Sequence, residues 1–188
     1  SSFTSALRIS KEPFFGFVYC NSENFAKILK YAFNTYNDSI GTEIINEKYN
    51  NPDNSEPKNP QWNSEANKIK LFNKMQRSSI SVLTMETPTI SKLLISNNLL
   101  FNKLIEFPTS EFSTDSKLNG FYCRILDVLI RQSDGQYLYK LPLLLNHLLN
   151  TIEFLSSRQL FIETFCEYKN DFIKSSLSSI NEELNDDI

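Results

Sequence analysis

The stretch SVLTMETPTISKLLISNNLLFNKLIEF, residues 81–107, decides what kind of fold this chain can adopt. Its Leu- and Ile-rich composition is compatible with a membrane span, with one long helix or with a series of short helices. A membrane span needs about 20 continuous apolar residues, whereas charged side chains interrupt this run. They are Glu86, Lys92, Lys103 and Glu106. The breaks at Thr87-Pro88 and Ser96-Asn98 favour the end of one helix followed by two short ones, because Pro suits a first helical position and Asn suits an N-cap.

The composition predicts one globular, mostly helical domain. The chain has 188 residues, of which 40% are hydrophobic and 13% aromatic, and it contains only 4 Gly. A net charge of −3 argues against nucleic acid or an anionic membrane surface as a partner. Three cysteines lie far apart, at Cys20, Cys123 and Cys166, which fits neither a disulfide framework nor a metal site. We expect reduced, buried thiols and hence a cytoplasmic location, with the nucleus as an alternative.

Apolar residues recur every three or four positions in the first half of the chain, which predicts amphipathic helices. Ser22 is a suitable N-cap for the first, whose stripe is Phe25, Ile28, Leu29, Ala32 and Phe33. A second helix is predicted from Asn63-Ser64 to about Met85, with Ile69, Phe72, Met75, Ile80 and Leu83 on one side. Between them, residues 37–63 are rich in Asn and Pro and predict a long loop.

The second half of the chain continues the pattern of short helices and breaks. Asp115 is a suitable N-cap for a helix that ends at Ser133-Asp134-Gly135. Residues 137–155 predict a short helix broken at Pro142, then a helix that is apolar almost all round and therefore covered on both sides. Ser156 or Ser157 begins a final helix, and the acidic tail from about residue 176 is expected to fray.

This order of elements predicts an all-α fold over a single domain, 1–188. The favoured architecture is a stack of antiparallel helix pairs, an α-solenoid of the armadillo or HEAT kind, in which each unit buries its apolar face against its neighbours. A compact helical bundle is the alternative.

No motif for catalysis, metal binding or a cofactor accompanies the polar residues. The single histidine, His147, lies in a Leu-rich run and is more often a core residue than a general base. Lys70, Lys74 and Arg77 place three positive charges on one side of a helix, where they could meet an acidic partner or a phosphate. Such charges more often lie on the solvent-exposed side of an amphipathic helix and bind nothing. Trp62, in the long loop, could be a partner anchor or could fold back onto the body.

Four parts of the chain agree in order and spacing with one known family: FFGFVYCNSENFAKILKYAF (14–33), SVLTMETPTISKLL with NLLFNKLIEF (81–94 and 98–107), LNGFYCRILDVLIRQ (118–132) and LLLNHLLNTIEFLSSRQLFIETF (143–165). They resemble the SAPS-domain family, the regulatory subunits of type 6 serine/threonine protein phosphatases. The resemblance implies a helical-repeat scaffold that binds the phosphatase catalytic subunit and helps to choose its substrates.

Three functions therefore remain open. The first is a non-catalytic regulatory or scaffold subunit of a protein phosphatase, as the resemblance implies. The second is a generic helical-repeat adaptor that binds an unrelated client through Lys70, Lys74 and Arg77 or through the Trp62 loop. The third is an enzyme that pairs His147 with Cys123 or Cys166, which predicts a reactive thiol.

Overall fold

The computed structural model describes residues 22–37, 64–86 and 96–169, and all regular structure within these ranges is helical. The predicted all-α class is therefore confirmed. The described ranges contain six helices: α1 (Ser22–Phe33), α2 (Glu65–Leu83), α3 (Asn98–Glu106), α4 (Ser116–Gln132), α5 (Leu144–Asn150) and α6 (155–169). Short 3₁₀ turns lie at Phe107–Thr109 and Leu138–Lys140. The predicted loop after residue 37, the short helix after Thr87-Pro88 and the acidic tail lie outside the described residues.

Local capping chemistry sets the ends of α3 and α4. The Asn97 Oδ1 atom accepts a hydrogen bond from the Leu100 N–H at 3.1 Å, and the Asp115 Oδ1 atom accepts one from the Leu118 N–H at 2.8 Å. Each bond satisfies a backbone donor that has no partner inside the helix, which is worth about 1 kcal/mol. The helix starts predicted at both positions are confirmed.

One core joins all six helices. The apolar stripe predicted for α1 is buried throughout, with Phe25 and Ala32 at 0% exposure. This stripe packs α1 against α2, α3 and α4. The deepest residues of the remaining helices complete the core, among them Leu83, Leu104, Leu126, Leu148 and Leu160.

The helices α2 and α4 run parallel to each other. Lys117 Nζ donates to Asn73 Oδ1 at 2.9 Å, and Arg131 forms an ion pair with Glu86 at 3.0 Å. These pairs are 44 and 45 residues apart in sequence, so one nearly constant offset relates the two helices. Their two contacts are about 20 Å apart along the helix axes, which excludes the antiparallel arrangement.

The helix α6 also runs parallel to α4, whereas α3 runs against it. Asn119 in the first turn of α4 contacts Ser157 at the start of α6, and Gly135, just beyond α4, lies against the Tyr168 ring. The helix α3 runs in the opposite direction to α4. Its early residue Phe101 lies near the end of α4, since the ring centroids of Phe101 and Tyr137, which follows α4, are 5.9 Å apart. The later residues of α3 lie beside the first half of α4.

The segment containing α5 returns the chain from the end of α4 to its beginning. Thr151, which follows α5, lies 2.8 Å from Ser157 through their hydroxyl oxygens, close to Asn119 in the first turn of α4. Parallel α2, α4 and α6 thus alternate with chain segments that run the other way. This alternation is compatible with the predicted solenoid and with the compact bundle.

The expectation that the apolar helix after Pro142 is covered on both sides is wrong. The helix α5 has only seven residues, and Leu149, Ile152 and Leu155 are 48%, 40% and 68% exposed. The turn at 151–154 ends α5 after these seven residues. Ile69 was also predicted to be buried, but it is 39% exposed, because it lies in the first turns of α2 at the margin of the core.

Gly135 is required by the turn that ends α4. Its φ is 75°, in the left-handed region, and a Cβ atom there would collide with the Tyr168 ring. We expect Gly135→Ala to lower the free energy of unfolding by about 1–3 kcal/mol, measured by urea denaturation. Gly120→Ala is the matched control, because a Cβ there meets its nearest neighbour at 4.0 Å and Ala favours a helix interior. Equal effects of the two substitutions would contradict the assignment.

Candidate interaction surface

The three cations singled out in the sequence lie on the solvent side of α2. Lys70, Lys74 and Arg77 are exposed, whereas Phe72, Ile80 and other residues on the opposite side are buried. Since each residue adds about 1.5 Å along a helix, the three cations cover about 10 Å of α2. The only acidic residue of α2 is Glu65, and its carboxylate is 3.7 Å from Lys68 Nζ.

The parallel packing of α4 on α2 adds two more cations to this surface. Lys117 is exposed and donates to Asn73 Oδ1, and Arg124 lies two turns further along the same side of α4. The backbone carbonyl oxygen of Asn73 also accepts a hydrogen bond from Arg77 Nε at 3.2 Å. Asn73 thus positions one cation from each helix.

We use the name basic face for the five exposed cations of this surface, which are Lys70, Lys74, Arg77, Lys117 and Arg124. Within the described ranges, none of the five forms an ion pair with an acidic side chain. Asp115, the nearest acidic residue in sequence to Lys117, is engaged as the N-cap of α4. The basic face therefore presents positive charge to solvent, although the whole chain has a net charge of −3.

Arg131 has a different role from these five cations. Its guanidinium donates to both carboxylate oxygens of Asp127, at 2.9 and 2.7 Å, and to Glu86 at 3.0 Å. These bonds to Asp127, together with the Glu86 carboxylate, raise the pKa of Arg131 above its ordinary value. Arg131 therefore joins the ends of α2 and α4 and marks the edge of the basic face.

Trp62, the fourth residue proposed as a partner contact, lies outside the described residues. Its role as an anchor therefore stays a prediction.

His147 belongs to a buried polar network that ties α4, α5 and α6 together. Its Nε2 atom is 2.8 Å from Asn119 Oδ1, which can only accept, so Nε2 carries the proton. Asn119 Nδ2 then donates to Ser157 Oγ at 2.6 Å. His147 is 4% exposed, and Asn119 and Ser157 are fully buried. The prediction that His147 is a core residue is confirmed.

The hydroxyl protons of this network are all in use. Thr151 Oγ1 donates to the His147 carbonyl at 2.7 Å, so the 2.8 Å contact between Thr151 and Ser157 takes its proton from Ser157. His147 Nε2 faces an amide oxygen and not a hydroxyl or thiol. The geometry gives His147 no nucleophile to activate among the described residues, so the network acts as a structural tie.

The two described thiols differ in environment. Cys123 is 3% exposed, and burial raises the pKa of its thiol to about 11, so it stays protonated at neutral pH. Its Sγ atom lies 3.8 Å from Ser157 Oγ and 4.0 Å from Asn119 Oδ1. Cys166 is exposed on α6, which corrects the expectation that the thiols are buried. Cys20 lies outside the described residues.

No group of three or more metal-ligating side chains occurs in the described part of the chain. Within the same ranges, every helix is too short or too polar to cross a bilayer.

Burial of His147 makes stability depend on pH. Burial lowers the pKa of His147 from 6.5 to about 4, so the unfolded chain binds this proton more readily than the folded one. The stabilisation is complete above the unfolded pKa and is lost as pH falls from about 6.5 toward 4. We expect a loss of about 2 kcal/mol between pH 7 and pH 5, measured by urea unfolding. The variant His147→Gln keeps an amide donor without titrating, so its loss should be smaller; an equal loss would exclude His147 as the source.

Sequence reasoning missed Asn119, Thr151 and Ser157 as partners of His147. Asn119 carried a signal, because it lies at the same helical phase as the buried Cys123 and Leu126. A polar residue at a buried phase predicts a buried hydrogen-bond partner. The identity of that partner, 28 residues away in sequence, required the tertiary structure.

The fold and this surface define the described part of the chain as all-α, with a basic face on the parallel helices α2 and α4 that forms no ion pair within the described ranges. No protein-family model, no curated protein and no solved structure matches the chain.

Proposed function

We propose that the chain is a non-catalytic regulatory or scaffold subunit that binds a type 6-like serine/threonine phosphatase catalytic subunit and helps to select its substrates. The observation that carries the proposal is the parallel stacking of α2 and α4 with an offset of 44 to 45 residues. Armadillo and HEAT repeats have periods of about 40–47 residues. Such an offset supports a helical-repeat architecture, and the resemblance to SAPS-domain proteins supplies the phosphatase.

Features of the described residues favour binding over catalysis. His147 is buried and bound to an amide oxygen, and the Cys123 thiol is buried and protonated. The basic face, in contrast, is exposed and forms no ion pair with any acidic side chain of residues 22–37, 64–86 and 96–169. The free thiols of Cys123 and Cys166 support a reducing compartment, the cytoplasm or the nucleus.

The proposal is tested by tagging the intact protein in its native cells and identifying what copurifies with it by mass spectrometry. We expect a type 6-like phosphatase catalytic subunit in near-stoichiometric amount. A variant with the core substitution Leu126→Asp is the matched negative control, because a charge in the core unfolds the scaffold without touching its surface. Reproducible recovery of other partners without a phosphatase would exclude this function.

A generic adaptor with an unrelated client is the second candidate, and the basic face is the observation that favours it. The two candidates differ in what the tagged protein recovers. A client other than a phosphatase, lost when Lys70 and Lys74 are changed to Glu, would support the adaptor. If recovery of that client does not change, the basic face is not its binding site.

A further inference from the structure

We infer that the basic face binds an extended acidic segment of a client protein, one that carries several Asp or Glu side chains in succession. The inference deepens the proposed function and rests on it in one respect, namely that the acidic segment belongs to a client selected by the scaffold. The binding site itself involves only α2 and α4, and it can be tested without a phosphatase.

The charge distribution supports an acidic ligand. The basic face holds five exposed cations on two adjacent helices, and none of them is neutralised by an ion pair within the described ranges. The acidic groups near the end of the same helices, Asp127 and Glu86, are held by Arg131. The acidic groups at both ends of the helix pair are thus engaged, by Arg131 at one end and by Lys68 and the N-cap bond of Asp115 at the other, so the five cations between them present a positive surface that attracts an anionic segment.

The geometry sets the length of the ligand. With the 44-residue offset, Lys117 lies level with Asn73, and Arg124 lies about one turn beyond Arg77. The cations therefore form two rows over about 15 Å, on helices whose axes are about 8–10 Å apart. An extended chain advances about 3.3 Å per residue and sends alternate side chains to opposite sides. A segment of about five residues would then place alternate carboxylates toward the α2 row and the α4 row.

The arrangement of donors distinguishes this ligand from a single phosphate group. Asn73 holds Lys117 through its side chain and Arg77 through its carbonyl, whereas Lys70 and Arg124 lie at opposite ends of the two rows. The five cations do not converge on one point, as recognition of one phosphoryl group requires. Because Lys70 and Arg124 are about 15 Å apart along the helix axes, binding the whole face requires several carboxylates in succession.

The same surface offers little to a nucleic acid. Phe121 is half-buried, with Lys117 Nζ 5.9 Å from its ring centroid, so its ring is not free to stack on a base. The chain as a whole is acidic, which opposes a polyanion longer than the face.

The experiment measures fluorescence anisotropy of labelled peptides with the full chain. The probe has a core of five Asp residues between Gly-Ser flanks, and the matched peptide has Asn at the same positions. We expect saturable binding of the Asp peptide at low salt, weakened about ten-fold at high salt, and no binding of the Asn peptide. A neutral peptide with one phosphoserine and a short uridine oligonucleotide are the competing ligands, and both should bind more weakly than the Asp peptide.

Two charge-matched variants locate the site. Changing Lys70 and Lys74 to Glu should weaken Asp-peptide binding by at least about ten-fold. Changing Arg158 and Lys169 to Glu alters the net charge equally but at exposed positions on α6, and should leave binding within about two-fold. If the Glu variant of the basic face does not fold, the Lys70→Gln and Lys74→Gln pair removes charge without reversing it and should still lose affinity.

Three results would overturn the inference. They are equal binding of the Asp and Asn peptides, equal losses in the α2 and α6 variants, or tighter binding of the phosphoserine peptide or the oligonucleotide. A failure of this kind is distinguishable from a failure of the proposed function, because the peptide assay contains no phosphatase. Conversely, the basic-face variant should still recover the phosphatase catalytic subunit from cells while losing the acidic client.

Discussion

Replacing Tyr122 with Ala is expected to lower the free energy of unfolding by about 3–5 kcal/mol. The side chain is fully buried, stacks on Phe107 with ring centroids 4.4 Å apart, and contacts the His147 ring edge-on at 5.2 Å. Its removal leaves a cavity where α3, α4 and α5 meet, which close-packed neighbours fill only in part. Urea unfolding followed by circular dichroism measures the loss.

Two variants test whether the loss of stability comes from the buried ring of Tyr122. One removes only its hydroxyl group, and the other removes a neighbouring ring that is less buried. Tyr122→Phe removes only the hydrogen bond from the hydroxyl to the Leu104 carbonyl, which is 3.2 Å long, and should cost about 1 kcal/mol. Phe121→Ala removes the neighbouring, half-buried ring and should cost less than Tyr122→Ala. A loss below about 1 kcal/mol for Tyr122→Ala would contradict the packing described here.

Asn119→Ala is expected to cost about 2–4 kcal/mol, because it removes one residue and leaves two buried partners unsatisfied. The Nε2–H group of His147 loses its acceptor, and Ser157 Oγ loses its 2.6 Å donor. Neither group can reach water, since both residues are almost fully buried. The measurement is again urea unfolding, at pH 7, where His147 is neutral in the folded state.

The control for this substitution is Asn102→Ala, on the exposed side of α3. It removes the same side chain without removing a buried hydrogen bond, so its effect should stay within about 0.5 kcal/mol. In addition, Asn119→Ala combined with His147→Gln should show a non-additive effect, since the two residues share one hydrogen bond. Additive losses would mean that the network does not link α4 to α5.

The starts of α3 and α4 and the end of α4 could be read from the sequence because capping is local. Asn97 and Asp115 accept hydrogen bonds from backbone groups three residues away, and Gly135 allows the left-handed turn after α4. The buried stripe of α1 is equally local, since a 3.6-residue period fixes which side chains share a face.

Contacts between helices could not be read in the same way. The Leu-rich run before Thr151 predicted a helix covered on both sides, yet Leu149 is 48% exposed, since apolar sequence does not reveal which neighbours are present. Likewise, Lys117 joins the basic face only through Asn73, 44 residues earlier. No local rule predicts the register between two helices that far apart in sequence.

The proposal that the chain is a phosphatase regulatory subunit is tested most directly by mixing the purified chain with a purified type 6 catalytic subunit. Size-exclusion chromatography with light scattering then gives the mass of what elutes. We predict a complex with the summed mass of one copy of each protein, formed by the wild-type chain and retained by the basic-face variant. Separate elution of the two proteins at concentrations of about 10 μM or more, well above those at which specific interfaces form, would contradict the account.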